Sequence, residues 1–75
     1  MKLYNVKNGS RIRVIGEATV PPAAPAIHRG DELNFHHIDG MYSYCTREDG
    51  RVVHLVAWAE VEVMHDADRR RRSGD

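Results

Sequence analysis

The chain has 75 residues, of which 41% are hydrophobic and 29% charged, and it contains one cysteine. A domain of this size buries only about 60% of its unfolded surface. A lone Cys45 excludes the intrachain disulfide framework that would reinforce so thin a core.

The formal net charge is zero, but the charges are divided along the chain. Residues 1–30 carry five basic side chains and one acidic, whereas residues 31–66 carry two basic and eight acidic. We interpret this division as strands whose outward charges face each other across a sheet. The alternative is a bipolar surface that self-associates or binds a charged partner.

No run of apolar residues approaches the roughly 20 that span a membrane, and no apolar signal-peptide segment follows the first residues. The composition therefore predicts a soluble, cytoplasmic protein with no membrane contact. Because the core is small, homo-oligomerisation is left open.

The first part of the chain predicts a hairpin followed by a long loop. Residues 3–6 are a short strand candidate, and the Asn-Gly pair at 8–9 favours a turn. Residues 11–16 alternate apolar and basic side chains, as in a strand with one buried face. Three prolines within residues 17–29 exclude a central strand or a helix interior. That segment is therefore predicted to be an extended, proline-rich loop.

The second part predicts short strands joined by tight turns. Leu33 and Phe35 alternate with polar residues, and the inward face is expected to continue through His37. Adjacent His36 and His37 are expected on opposite faces of this strand. An Asp-Gly pair then predicts a turn, after which residues 41–46 form the next strand.

A second Asp-Gly pair precedes residues 52–57, which are apolar on both faces apart from His54. We therefore expect this strand at the centre of the sheet. Residues 57–59 predict a short turn before a last strand that ends near Met64. Residues 67–75 lack apolar periodicity and are expected to form a disordered, arginine-rich tail.

The pattern of residues 30–64 resembles the second half of an SH3-like barrel. In that fold a Gly-Asp pair, here Gly30-Asp31, opens a strand, two tight hairpins follow, and a 3₁₀ turn leads to a valine-rich strand. The resemblance implies an all-β barrel of five to six strands over residues 1–66, with a ligand-facing aromatic groove. Met41-Tyr42 and Ala57-Trp58-Ala59 replace the tryptophan pair and the Ser-Asn-Tyr of eukaryotic SH3 domains, so recognition of proline peptides is not implied.

The compact chain is also similar in style to small accessory proteins of bacteriophages and bacteria. We predict a non-enzymatic binding or adaptor module that engages a protein partner through an aromatic face, because aromatic side chains dominate the energetics of such contacts. The residues expected to make this contact are Tyr42, Tyr44, His54 and Trp58.

The first alternative is a nucleic-acid-binding accessory protein, whose phosphate contacts come from basic side chains. The residues available for it are Arg11, Arg13, Arg69, Arg70, Arg71 and Arg72. The acidic character of residues 31–66 counts against it.

A more distant alternative is a metal- or thiol-dependent enzyme built on His37, Cys45 and His54. These residues lack the closely paired spacing of zinc ribbons and fingers. A thiol in mid-strand also lacks a helix N-terminus or a flanking cation to activate it. No catalytic residue, metal ligand or cofactor is therefore predicted.

Overall fold

The computed structural model describes residues 1–64, which form a five-stranded antiparallel sheet. The strands are β1 (Arg11–Val14), β2 (Glu32–Asp39), β3 (Tyr42–Thr46), β4 (Val52–Val53) and β5 (Val61–Met64). Their order in the sheet is β4-β3-β2-β1-β5, and the sheet is not closed. The all-β class is confirmed, since the described residues contain no α-helix. The predicted tail and the last two residues assigned to the domain lie outside the described residues.

The core lies on one face of the sheet. In β1, Ile12 and Val14 are fully buried, and Ile12 pairs with the equally buried Leu33 of β2. Phe35 of β2 pairs with Cys45 of β3, which is also buried. The alternation predicted for β1 and β2 is confirmed at these positions. The buried cluster consists of Leu3, Val6, Ile12, Val14, Ile27, Leu33, Phe35, Cys45, Val53, Leu55, Val56, Ala59 and Val61.

Residues 3–6 do not form the predicted strand, and the predicted first hairpin is wrong. Leu3–Asn5 is instead a 3₁₀ helix, in which the Val6 N–H donates to the Leu3 carbonyl at 2.9 Å. With three residues per turn, Leu3 and Val6 lie on the same side of this turn and both are buried. The Leu3 N–H also donates to the Ala59 carbonyl, so the segment packs against the approach to β5.

The strand predicted for residues 52–57 is shorter than expected and lies at the edge of the sheet. Only Val52–Val53 forms a strand, and β4 has β3 as its single neighbour. Leu55 and Val56 are buried without belonging to a strand. Val56 donates its N–H to the carbonyl of Thr19, so the loop between β1 and β2 covers this segment. The apolar pattern that predicted a central strand therefore reflects burial under a loop.

The predicted turns at the two Asp-Gly pairs are confirmed. Gly40 and Gly50 have φ of 67° and 88°, values that a residue with a Cβ adopts at a cost. Residues 15–31 contain no strand, and Ile27 anchors them in the core. Arg47 donates to the Ala26 carbonyl at 2.9 Å and joins this loop to the end of β3. Within residues 1–64, no helix is long and apolar enough to cross a membrane.

Candidate functional site

A β-bulge in β2 determines which side chains share the exposed face of the sheet. The register with β3 shifts between Phe35 and His37, and His37 then pairs with Tyr44. Phe35 is buried and Ile38 packs against the core, so His36 and His37 are both left exposed between them. The prediction that these histidines lie on opposite faces, with His37 inward, is therefore wrong.

Three imidazole rings surround the side chain of Tyr44. His37 stacks on the Tyr44 ring with an interplanar angle of 6° and a centroid distance of 5.4 Å. His36 meets the same ring edge-on at 5.4 Å, and His54 does so at 6.1 Å. We refer to His36, His37, Tyr44 and His54 as the ring cluster. Of the four predicted binding residues, the structure brings together Tyr44 and His54 here.

Hydrogen bonds orient two of the three imidazoles. His36 Nε2 lies 2.9 Å from Thr46 Oγ1. His54 Nδ1 lies 2.9 Å from the backbone carbonyl of Ser43. Because a carbonyl only accepts, Nδ1 of His54 carries the proton, and Nε2 of the neutral ring is a bare acceptor. His37 makes no side-chain hydrogen bond within residues 1–64.

Ser43 supports the position of His54 from inside the sheet. Its hydroxyl is fully buried, donates to the Leu55 carbonyl at 2.8 Å and accepts from the Leu55 N–H at 3.2 Å. Its own N–H donates to the same carbonyl at 2.8 Å. The hydroxyl thus takes the place of a ladder hydrogen bond just after β4 ends, and it holds the residue that follows His54.

The other two predicted binding residues, Tyr42 and Trp58, are not part of the ring cluster. Tyr42 is half-buried, packs against the core and pairs with Val56. Trp58 lies in the turn between Val56 and β5, and it makes no ring contact within the described residues. The aromatic face predicted as one surface is therefore divided.

Trp58 follows Ala57, whose backbone hydrogen-bonds to two other residues that have exposed side chains. The Tyr4 N–H donates to the Ala57 carbonyl at 2.9 Å, and the Ala57 N–H donates to the Met41 carbonyl at 2.8 Å. Tyr4 is 56% exposed, Met41 58% and Trp58 49%. We refer to Tyr4, Met41 and Trp58 as the turn patch. Tyr4 and Met41 were not among the predicted binding residues, because their approach to Ala57 depends on contacts between distant parts of the chain.

The basic residues proposed for phosphate contact in β1 are engaged within the fold. The side chain of Arg11 is 8% exposed, forms ion pairs with Glu32 and Glu48, and donates to Asn34 at 3.0 Å. The predicted neutralisation of outward charges across the sheet is confirmed for this residue. Arg69, Arg70, Arg71 and Arg72 lie outside the described residues.

Further ion pairs repeat this pattern at the surface. Arg13 pairs with Glu62 of β5 at 2.7 Å. Glu60 lies 2.8 Å from Lys2 and 3.0 Å from the N-terminal ammonium of Met1. The hydrogen bond from Lys2, followed by the one from the N-terminus, lowers the pKa of Glu60, and the same contact with Glu60 raises the pKa of Lys2.

Cys45 lies on the other side of the sheet from the exposed imidazoles. It is fully buried, and burial raises the pKa of its thiol, although the Ser43 hydroxyl at 3.3 Å partly opposes this shift. The structure therefore does not assemble Cys45 with His37 and His54. Within residues 1–64, no three histidine, cysteine or acidic side chains are arranged to hold a metal ion.

An open cavity of about 370 Å³ lies between the two arms of the loop that joins β1 to β2. Glu17 and Arg29 line it and form no ion pair within the described part of the chain. The complete lining is Gly16, Glu17, Ala18, Thr19, Ile27, His28 and Arg29. None of these residues was predicted as a binding residue.

Comparison with known proteins found no matching family model, no matching curated protein and no matching solved structure.

Proposed function

We propose that this chain is a small, non-enzymatic binding module that engages a protein partner through the turn patch, with Trp58 as its main contact residue. The supporting observation is that Trp58, Tyr4 and Met41 are each about half exposed and attached to hydrogen-bonded neighbours around Ala57. Large exposed apolar side chains grouped in this way are typical of protein-binding surfaces.

The chemistry of the turn patch fits a protein partner. Tryptophan and tyrosine are enriched among residues that carry most of the binding energy at interfaces. The indole N–H of Trp58 makes no hydrogen bond within residues 1–64, so it is available to a partner. Met41 adds a flexible apolar side chain that adapts to irregular surfaces.

We also propose that the sheet belongs to an SH3-like barrel. Two tight turns with positive-φ glycines, a turn at residues 57–58 and a final strand follow Gly30-Asp31 in the order expected of that fold. Under this proposal, the contacts of the N-terminal residues with Ala57 and Ala59 bring Tyr4 next to the turn that precedes β5.

The nucleic-acid alternative loses support from β1, because Arg11 and Arg13 are paired with carboxylates. It would depend on the arginines of the C-terminal segment. Its signature is a steep loss of affinity with added salt and loss of captured material after nuclease treatment.

The test compares partner capture by the full chain, by Trp58→Ala and by Val52→Ala, each with and without nuclease. Val52 is the matched control because it is an exposed apolar residue of β4 outside the turn patch. Loss of a dominant interface residue costs about 2 kcal/mol or more, or roughly 30-fold in affinity. We expect that loss for Trp58→Ala and wild-type capture for Val52→Ala. Equal capture by all three proteins contradicts the role of the turn patch, and capture that disappears with nuclease favours nucleic acid.

A further inference from the structure

The cavity between the two arms of the loop that joins β1 to β2, here called the loop cavity, is lined by side chains of opposite charge. Glu17 comes from the first arm and Arg29 from the second. Within residues 1–64, the acidic and basic side chains other than histidine that form no ion pair are Lys7, Glu17, Arg29 and Asp39. One unpaired carboxylate and one unpaired guanidinium therefore line the same cavity.

We propose that the loop cavity binds a small aliphatic zwitterion, namely a free α-amino acid, whose carboxylate contacts Arg29 and whose ammonium contacts Glu17. The volume of about 370 Å³ lies in the range of small-molecule sites, which is about 300–1,000 Å³. This inference goes beyond the proposed function, because no residue of the turn patch lines the cavity.

Backbone contacts hold the first arm of the cavity in place. The Gly16 N–H donates to the Glu60 carbonyl at 3.3 Å, and the Thr19 carbonyl accepts from the Val56 N–H at 2.9 Å. A Cβ at Gly16 would lie 3.0 Å from the Glu60 Cβ, so glycine allows this close packing. Glu17 thus lies between two anchored residues.

The second arm is held by the core and by the residues before β2. The Gly30 N–H donates to the Val14 carbonyl at 2.7 Å, and the His28 N–H donates to the Asp31 carboxylate at 2.9 Å. The buried side chain of Ile27 anchors the arm in the core. Walls that are ordered before the ligand arrives lower the entropic cost of binding.

Other carboxylates attached to the two arms are engaged by basic side chains. Asp31, two residues beyond Arg29, pairs with Arg47 at 3.3 Å. Glu60, which packs against the first arm, pairs with Lys2 at 2.8 Å. Arg29 is therefore left to attract an anionic group, and the carboxylate of the first arm is left to attract a cationic one.

The lining offers one contact for each part of an aliphatic amino acid. The guanidinium of Arg29 presents paired N–H donors, which match the two oxygens of a carboxylate. The carboxylate of Glu17 accepts hydrogen bonds from an ammonium group. Ala18 and Ile27 add apolar surface for the side chain of the ligand. A ligand with a single charge leaves either Glu17 or Arg29 without a partner.

The test follows the backbone amide NMR signals of the full chain during titration with L-leucine at constant ionic strength. At about pH 6.5 both the α-amino group and the carboxylate of the ligand are charged. Two matched ligands each lack one charge: N-acetyl-L-leucine lacks the ammonium, and L-leucine amide lacks the carboxylate. We expect saturable shifts at residues 16–19 and 27–29, with L-leucine bound at least about fivefold more tightly than either matched ligand.

Three results of this titration overturn the proposal. The first is the absence of saturation with L-leucine. The second is saturation with shifts that lie outside the two arms. The third is equal binding of L-leucine and either matched ligand, because one of the two charges then contributes nothing.

Variants that remove one charge test the two contacts separately. Glu17→Gln should weaken binding of L-leucine by about fivefold and leave binding of N-acetyl-L-leucine unchanged. Arg29→Gln should weaken binding of L-leucine to the same extent and leave binding of L-leucine amide unchanged. Both side chains are exposed and form no ion pair within residues 1–64, so we expect both variants to keep the fold.

The matched controls remove the two other unpaired charges, which lie outside the loop cavity. Asp39→Asn is the control for the acidic variant and Lys7→Gln for the basic one, because each changes the net charge by the same amount as its counterpart. Both controls should bind L-leucine like the wild type. A loss in the controls equal to that in the cavity variants overturns the assignment, since it shows general electrostatic attraction.

Discussion

Replacement of Ser43 by alanine is the perturbation that most directly tests how the sheet supports the ring cluster. The hydroxyl is fully buried and makes hydrogen bonds of 2.8 and 3.2 Å with the carbonyl and the N–H of Leu55. Every buried side-chain nitrogen and oxygen within the described residues has a hydrogen-bond partner. Ser43→Ala leaves the Leu55 carbonyl with the Ser43 N–H as donor, but it leaves the Leu55 N–H without an acceptor.

The loss of stability in Ser43→Ala follows from this difference between the Leu55 carbonyl, which keeps a donor, and the Leu55 N–H, which loses its acceptor. A buried donor without a partner costs about 1–3 kcal/mol, and a lost neutral hydrogen bond about 1 kcal/mol. Since the two terms overlap, we expect the free energy of unfolding to fall by about 2–3 kcal/mol. For a domain of this size, such a change lowers the melting temperature by about 10–20 °C.

Urea unfolding measures the total effect, and amide hydrogen exchange measures the local one. We expect a lower midpoint with an unchanged slope, together with faster exchange at Leu55 than at residues of β1. Thr46→Val is the matched control, because the Thr46 hydroxyl bonds only to the exposed His36 ring, and it should change stability by less than about 0.5 kcal/mol. A similarly small change for Ser43→Ala, with normal exchange at Leu55, would refute the role assigned to the hydroxyl.

Two further predictions concern the ion pairs. Glu60 has a lowered pKa in the folded protein, so its contribution to stability is complete above the unfolded carboxyl pKa of about 4.3 and is lost as the pH falls through the folded value; Glu60→Gln should therefore flatten the acid side of a stability–pH curve. Arg11→Met should destabilise the fold more than Arg13→Met, because the Arg11 side chain is 8% exposed and that of Arg13 is 35% exposed. In urea unfolding we expect a loss of about 1.5–3 kcal/mol for Arg11→Met and less than about 1 kcal/mol for Arg13→Met. Equal losses would contradict the claim that burial makes the Arg11 contacts more stabilising.

Local patterns in the sequence were sufficient for the elements whose burial is set by the sheet. Alternation in β1 and at Leu33 and Phe35 predicted the inward side chains, and the Asp-Gly pairs predicted the turns. The bulge was also visible in principle, because the apolar spacing changes after Phe35 and Ile38, not His37, is the next inward residue. Two polar residues between inward positions are the signal of an added residue in a strand.

The two wrong strand predictions, for residues 3–6 and 52–57, share a physical cause, which is burial by distant segments of the chain. Residues 3–6 and 52–57 both carry apolar side chains on more than one face, and this pattern does not distinguish a strand from irregular chain covered by a loop. Leu3 and Val56 are buried through backbone contacts with Ala59 and Thr19, far along the sequence. For the same reason, Trp58 was the one residue of the turn patch that the sequence predicted as a binding residue.

The charge division along the chain takes on a different meaning once the pairs are known. The basic first part and the acidic second part meet as ion pairs, with Arg11 and Arg13 on carboxylates and Lys2 on Glu60. Paired surface charges attract a distant partner weakly, because their fields cancel and salt screens the remainder. Recognition by the described residues is therefore expected to depend on side chains that remain unpaired. Among these are the exposed apolar groups of the turn patch and the imidazoles of the ring cluster.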